Sequence, residues 1–288
     1  MGTLGRSKEI NEFLDSLIKQ DYNEYELIIV DQNDDDRVDI ICQPYNQLID
    51  IKIIKTSIKG LSKARNLGMK YVNGDIIAFP DDDCVYPPKL LHKIKIFFKM
   101  HPSYRILTTS AIDKLKGKHY KWFWPYSMEL KEKKILRMAT SFGIFVKKHN
   151  NINIQFDEQF GVGSLFGAAE EVDYLLKLLN KGYKGYYERN LFVFHRERAI
   201  NNMTFEEVFN YSVGVGALIK KHLYYNRKWF FIEIVLKQMV LSPLKNIFFA
   251  LLILNKNKMK WAIYILRGKV AGFNSYKKLS HKESQKFD

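Results

Sequence analysis

The chain has 288 residues and a mass of 34.0 kDa, with 47% hydrophobic residues, enough for one large domain or a domain with an appendage. Two cysteines, Cys42 and Cys84, are too few for a disulfide framework or a cysteine metal knuckle, which favours a reducing compartment, the cytosol. The formal charge of +15 is concentrated in the last third, where 17 Lys and Arg from Arg196 onward face six Asp and Glu, so basicity by itself does not choose among nucleic acid, anionic lipid and an acidic substrate.

The N-terminus carries no apolar run of signal-peptide length, and no stretch reaches the roughly 20 apolar residues of a spanning helix, so neither secretion nor membrane spanning is expected. Ile10, Phe13, Leu14, Leu17 and Ile18 fall at helical spacing between Lys8 and Gln20, and Leu27-Ile28-Ile29-Val30 then reads as a buried strand. The alternation continues with a strand at Ile51–Lys55, a helix at Leu61–Tyr71, a strand at Asp75–Phe79, a helix at Lys89–Met100 and a strand at Arg105–Thr109. A further strand follows Thr140, then a glycine-rich loop from Gly161 to Gly167, a helix from Ala168 to Leu179, and a strand pair from Gly185 to Phe194 that ends at His195. Short apolar strands alternating with helices predict an α/β fold, with a mostly parallel sheet flanked by helices and its ligand site beyond the carboxyl ends of the strands. Those ends carry Asp31 with Asp34, Asp35 and Asp36, and then Asp81-Asp82-Asp83.

Three segments carry candidate chemistry. Asp81, Asp82 and Asp83 close a buried strand behind Phe79-Pro80, where adjacent carboxylates repel one another unless a cation sits among them. A hard divalent ion shared with substrate phosphates answers that need, whereas an isolated acidic triplet is a solvated turn. In Gly60-Leu-Ser-Lys-Ala-Arg65-Asn66, Ser62 is expected to cap a helix whose first turn holds Arg65, a combination suited to phosphate and equally to an ordinary capped helix. Glu170, Glu171 and Asp173 open the later helix, where the dipole favours ionised carboxylates able to accept a proton, and first-turn acids are also common for structure alone. His195 closing an apolar strand is, taken alone, a structural histidine.

Taken in order, the ELIIVDQND strand, the GLSKARNLGM helix, the FPDDDCVYPP turn, the FDEQFGVGS loop, the AEEVDYLLKLLNKGY helix and the strand ending FVFH resemble the inverting family 2 glycosyltransferases of the GT-A (Rossmann-like) fold, over roughly residues 3 to 196. The resemblance implies a nucleotide-sugar site in which Thr3, Asp31, Arg65, Asp81 and Asp82 hold the donor. It further implies that Asp81 and Asp83 form the Asp-x-Asp element, with Asp83, Asp81 and His195 on Mn2+ or Mg2+. Family members carry Glu-Asp where this chain has Glu170-Glu171, so Glu171 takes the place of the general base, with Glu170 and Asp173 as alternatives. The family's first central strand is represented here by Gly2-Thr3-Leu4-Gly5-Arg6 alone, so that strand is expected to be truncated, with an upstream start or a shortened chain.

Residues 1–200 are thus expected to form the catalytic domain and residues 201–288 a basic amphipathic helical region. In the latter, helices mix aromatic and aliphatic faces with Lys and Arg, and an uncharged run of ten residues lies between Lys245 and Lys256. Such helices suit the inner face of the cell membrane, cations toward anionic lipid, and the same faces suit packing on the catalytic domain or in a homo-oligomer. The expected partners are a nucleotide-sugar donor, with UDP-sugars the family's commonest, and a hydroxyl of a saccharide or lipid-linked saccharide in surface polysaccharide (capsule) synthesis, with Trp122–Tyr126 at the acceptor side or in a core or membrane-facing patch. Acidic strand ends argue against nucleic acid. The competing classes are a sugar nucleotidyltransferase, which wants a glycine-rich N-terminal phosphate loop, and a non-catalytic basic protein that binds membrane or nucleic acid.

Overall fold

The computed structural model describes residues 1–148, 154–196 and 203–277. The chain divides into two compact units, Met1–Glu158 with Glu170–Glu197, and Gln159–Ala169 with Arg198–Asp288. The domain boundary expected at residue 200 lies outside the described residues.

The first unit opens with β1 (Gly2–Thr3) and α1 (Lys8–Ile18), whose Ile10, Phe13, Leu14 and Leu17 form the single buried stripe that their spacing demands. β2 (Glu26–Asp31) is buried from Leu27 to Asp31, as a strand covered on both faces must be. After α2 (Arg37–Cys42), β3 (Asp50–Lys55) completes a three-stranded parallel sheet in the order β1-β2-β3, in which Thr3 lies opposite Asp31 and Asp31 opposite Lys55.

α3 (Leu61–Met69) starts one residue before Ser62, so the expected Ser62 cap is not formed. Gly60 holds the capping position at φ 126°, a conformation that costs a side-chain-bearing residue strain, and Arg65 is the fifth residue of the helix. Ser62 is fully buried instead.

β4 (Ile76–Ala78), α4 (Leu90–Met100), β5 (Tyr104–Asp113), β6 (Lys118–His119), β7 (Met128–Glu129), β8 (Ile144–Lys147), α5 (Glu170–Asn180) and β9 (Lys184–His195) complete the unit. The second sheet runs β4-β8-β5-β9-β7 with β6 on β5. Only its β5–β9 pairing is parallel, because β8 inserts antiparallel between β4 and β5, so this sheet is mixed where the alternation predicts parallel strands. The expected strand pair before His195 is one twelve-residue strand. Its register against β5 jumps from Thr109↔Glu188 to Ser110↔Phe192, and the Ser110 hydroxyl donates to the displaced Arg189 carbonyl at 2.9 Å. α5 begins at Glu170 rather than Ala168, since Ala169 has φ 77° and stands outside the right-handed helix.

The second unit is helical. α6 (Phe205–Lys220) starts at a capping box, with Glu207 N donating to Thr204 Oγ1 at 3.1 Å and Thr204 N to Glu207 Oε2 at 2.7 Å. A π-helical stretch follows at Lys221–Tyr225, and after it come α7 (Phe231–Val235), α8 (Ser242–Leu252) and α9 (Lys256–Ser275). α6 and α9 cross at close range through glycines. A Cβ on Gly216 would stand 2.0 Å from the Lys269 carbonyl oxygen, and one on Gly272 would stand 1.9 Å from that of Val213.

α7 and α8, joined by a π-helical stretch at Leu236–Leu241, make one helical run of 22 residues from Phe231 to Leu252, long and apolar enough to cross a membrane by length and composition, and 12% of its most apolar window is buried. This overturns the expectation that no such segment exists. That expectation counted uncharged runs only, whereas Glu233, Lys237 and Lys245 are spread thinly enough along one helix to leave it apolar on average.

Candidate active site

Four strand ends deliver the polar residues. Asp31 ends β2 fully buried, its Oδ1 accepting from Asn33 N at 2.9 Å and Asn33 Nδ2 at 2.7 Å, while its Oδ2 is buried with no hydrogen-bond partner among the described residues. A buried carboxylate oxygen left unpaired is costly, which marks it as an acceptor for a ligand N–H. The neighbouring Asp34, Asp35 and Asp36 are exposed and paired with Lys59, Arg37 and Lys55, a solvated turn that contributes no buried charge. Lys59 also donates to the Gln32 carbonyl, and Gly60 N donates to Gln32 Oε1 at 2.7 Å, which fixes the start of α3 against the end of β2.

The three aspartates after β4 point to three different partners. Asp81 accepts from Arg65 Nη2 at 2.8 Å and from Ser141 Oγ at 3.1 Å, and Asp82 accepts from Thr3 Oγ1 at 2.7 Å. Asp83 faces His195 Nε2 at 3.0 Å and Arg6 Nη2 at 2.8 Å. Burial pushes the Asp82 carboxyl up to about 6 against the opposing pull of Thr3 and Arg6. Burial acts the same way on Asp83, but the bond and charge of His195, with the charge of Arg6, outweigh it and hold that carboxyl below its ordinary value.

One ligand atom from each of Asp81, Asp83 and His195 lies within 4.8 Å of the others. Two carboxylates and an imidazole, all half-buried, suit Mn2+ and tolerate Mg2+ with added water or phosphate oxygens. The His195 ring is set for such a role. Its Nδ1 lies 2.9 Å from Tyr120 Oη, and the Tyr120 hydroxyl donates to the His195 carbonyl at 3.2 Å. In the tautomer protonated at Nδ1, that proton goes to the tyrosine oxygen and the Nε2 lone pair is left for a cation. Phe142 stacks on the ring with centroids 4.5 Å apart.

Arg65 ties this group to α5. Its side chain is 2% exposed, and while Nη2 holds Asp81, Nη1 holds Glu170 Oε1 at 3.0 Å. Glu171 follows, partly exposed; burial first, and then the charge of Glu170, push its carboxyl up to about 8, and Arg65 pulls the other way. Asp173 is fully buried and pairs with Lys177 at 3.2 Å one turn along the helix. Direct bonds join Arg65, Asp81 and Glu170 in one cluster and Thr3, Asp82, Arg6, Asp83 and His195 in another, and the backbone of the Asp81–Asp83 turn connects the two into one candidate site. Asp31 reaches it through strand pairing with Thr3, Glu171 adjoins it, and Asp173 is held inside α5.

Arg6, Ser141 and Tyr120 belong to the same candidate site and were not among the residues expected from the sequence. Arg6 had a signal, a cation shortly after the first strand; Ser141 and Tyr120 had none, since they come from a short 3-10 turn and a loop brought in by the second sheet. The aromatic segment divides: Phe123 is core, while Trp122 and Tyr126 are 37% and 52% exposed. Trp124 lies under Lys134 Nζ at 4.4 Å and Arg137 Cζ at 4.5 Å.

Over 182 residues the chain is 26% identical to an uncharacterized glycosyltransferase of Haemophilus influenzae, a match covering 61% of this chain and 59% of that protein. It is 30% identical over 105 residues to the poly(ribitol-phosphate) beta-N-acetylglucosaminyltransferase TarS of Staphylococcus aureus, covering 35% of this chain and 18% of TarS. The chain thus spans less than two thirds of the length of these relatives. In structure it resembles residues 1–349 of that TarS in complex with UDP-GlcNAc, with a TM-score of 0.62 at 18% identity over 94% of this chain and 80% of the other. It also resembles the mannosyltransferase PcManGT of Pyrobaculum calidifontis in complex with GDP-Man and Mn2+, with a TM-score of 0.67 at 13% identity over 94% and 85%. Both likenesses place the fold among the GT-A glycosyltransferases. The family model for glycosyl transferase family 2 matches residues 1–164, more than half of the chain, and the chain belongs to that family.

Proposed function

We propose that this protein transfers a sugar, with inversion, from a nucleoside-diphosphate sugar to a hydroxyl of a saccharide or lipid-linked saccharide, in the synthesis of a surface polysaccharide such as a capsule. The observation that carries this reading is the Arg65 bridge, which brings a cation-binding carboxylate turn and a candidate base on a helix start into one network. Asp31 Oδ2 accepts a base N–H such as that of uracil, and the binding of UDP-GlcNAc by TarS supports a uridine donor. Mn2+ or Mg2+ on Asp81, Asp83 and His195 would supply the positive charge that stabilises the leaving diphosphate. Thr3 and Asp82 hold the turn in place beneath the donor.

Glu171 is the base of this reading. A base must reach an incoming hydroxyl, which the enclosed Asp173 does not, and Glu170 is neutralised by Arg65. Glu171 takes the acceptor proton as the acceptor oxygen bonds to the anomeric carbon, and the bond from that carbon to the diphosphate oxygen breaks with its electron pair on the diphosphate. Trp122 and Tyr126, exposed on the segment that also supplies Tyr120 to His195, offer ring faces to an acceptor sugar. The helical second unit supports a peripheral seat on the inner membrane face, because Phe248, Phe249, Leu251 and Leu252 are exposed in a region rich in lysine.

Calorimetric titration of UDP with and without Mn2+ tests the donor site. Metal-dependent binding that disappears in Asp83→Ala is expected. Binding of UDP that ignores both the metal and the substitution would overturn the assignment, and parallel titrations of GDP, TDP and CMP rank the bases.

A further inference from the structure

Arg6 stands in the centre of the carboxylate turn, where the proposed roles leave it without a task. Its Nη2 lies 2.8 Å from Asp83 Oδ2, its Nε 3.4 Å from Asp82 Oδ1 and its Nη1 3.4 Å from Glu9 Oε1 in the first turn of α1. The side chain is 35% exposed, so the guanidinium rests on the turn and also meets solvent. Asp83 is at the same time a member of the candidate cation-binding trio, and its other oxygen, Oδ1, faces His195 Nε2 at 3.0 Å. One carboxylate therefore presents one oxygen to a guanidinium and the other to the imidazole that shares the candidate ion site with it.

Two positive charges about one partly buried carboxylate repel each other, and the carboxylate has a single negative charge to divide between them. A diphosphate brings two or more negative charges and oxygens that both a metal ion and an arginine fork accept. Resting on the donor-site reading above, the geometry points to Arg6 as the residue that couples nucleotide and metal binding. Its charge opposes the ion while the nucleotide is away, and becomes a second anchor for the diphosphate once the nucleotide arrives. Arg6 is a positioning residue in this account. It makes the ion and the nucleotide bind together rather than singly, and by linkage each raises the affinity of the other by the same factor.

The test uses the full chain and two probes, Mn2+ and UDP, in calorimetric titrations of wild type, Arg6→Gln, Arg6→Lys and Asp83→Ala. In Arg6→Gln, Mn2+ alone binds more tightly than to wild type, and the factor by which UDP enhances Mn2+ binding falls roughly fivefold or more. Arg6→Lys keeps the charge and most of the coupling. The inference is overturned if Arg6→Gln shows wild-type affinity for Mn2+ alone with an unchanged enhancement, or if Arg6→Lys behaves as Arg6→Gln does. Asp83→Ala separates this failure from that of the donor site: Mn2+ binding that survives Asp83→Ala removes the metal assignment and the inference together. Loss of binding there with no effect in Arg6→Gln removes the inference alone. A Tm of Arg6→Gln close to that of wild type confirms that a half-exposed side chain was changed without loss of fold.

Discussion

Arg65 holds two carboxylates from two distant parts of the chain, Asp81 after β4 and Glu170 at the start of α5, with almost none of its own surface in water. Removing the cation leaves two half-enclosed negative charges unpaired, so Arg65→Ala is expected to cost about 3–5 kcal/mol in urea unfolding, well beyond the loss of one surface ion pair. Arg65→Lys keeps the charge but cannot reach both partners with a planar fork, and its Tm is expected to fall between the two. A change of under about 1 kcal/mol in Arg65→Ala would mean that water replaces the guanidinium at no cost. Glu171 gives the second residue-scale expectation. With its carboxyl pushed up to about 8 by burial and Glu170, the group keeps its proton at neutral pH and becomes a base as the pH rises. Turnover should climb with pH and level off above that value, and a bound divalent ion nearby shifts the limb to lower pH. Glu171→Gln should lower kcat by a factor on the order of 10²–10⁴ and abolish the limb, with UDP affinity unchanged. An intact limb in that variant would move the base to another group. At this scale the residue types of the site were readable, because a triplet of aspartates behind a buried strand and acids at a helix start each ask for a partner. The identity of each partner was not, since Ser141, Tyr120 and Arg6 come from a turn, a loop and the segment after the chain's first strand.

Among the elements, α1, β2, α4 and α5 follow from apolar spacing, because each buries a stripe or a whole strand whose period is visible in one short window, while β3 follows from isoleucines that are only half-buried. The start of α3 depends on a contact outside its own sequence: Gly60 takes φ 126° while its N–H is held by Gln32 at the end of β2, and Ser62 is carried inside the helix. β8 runs antiparallel between two other strands, a placement its four residues do not announce. The α6–α9 crossing makes a sharp prediction. Gly272→Ala would set a methyl carbon against the Val213 carbonyl, and rigid backbone atoms cannot yield as a flexible side chain would. That substitution should destabilise the helical unit by about 1–3 kcal/mol, with a lowered thermal midpoint by circular dichroism. Gly5→Ala is the contrast. At φ 74°, with nothing within 4 Å of its added Cβ, it should lose only the smaller cost of backbone strain.

Across the whole molecule, charge and apolar surface are distributed unequally. Seventeen Lys and Arg lie from Arg196 onward, and in the same region Leu244, Phe248, Phe249, Leu251 and Leu252 are each more than half exposed. Phe248→Ser combined with Phe249→Ser and Leu252→Ser should release the protein from vesicles containing phosphatidylglycerol in a sedimentation assay. Binding that persists, and that resists carbonate extraction, would favour insertion of the 231–252 helix over a seat on the surface. The resemblance to the family singled out Arg65, Glu171 and His195, whereas the sequence alone determined that the chain is α/β with a basic helical region and that Asp81 and Asp83 follow a strand end. It could do so because hydrophobic period and like-charge repulsion are local properties, legible within a few residues. Only the tertiary structure decided which aspartate meets which cation, that Arg6 shares Asp83 with His195, and that charged residues leave Phe231–Leu252 one continuous apolar helix. Those outcomes depend on side chains up to 112 positions apart arriving at one place, and on a helix averaging its charges over its whole length, neither of which a short window records.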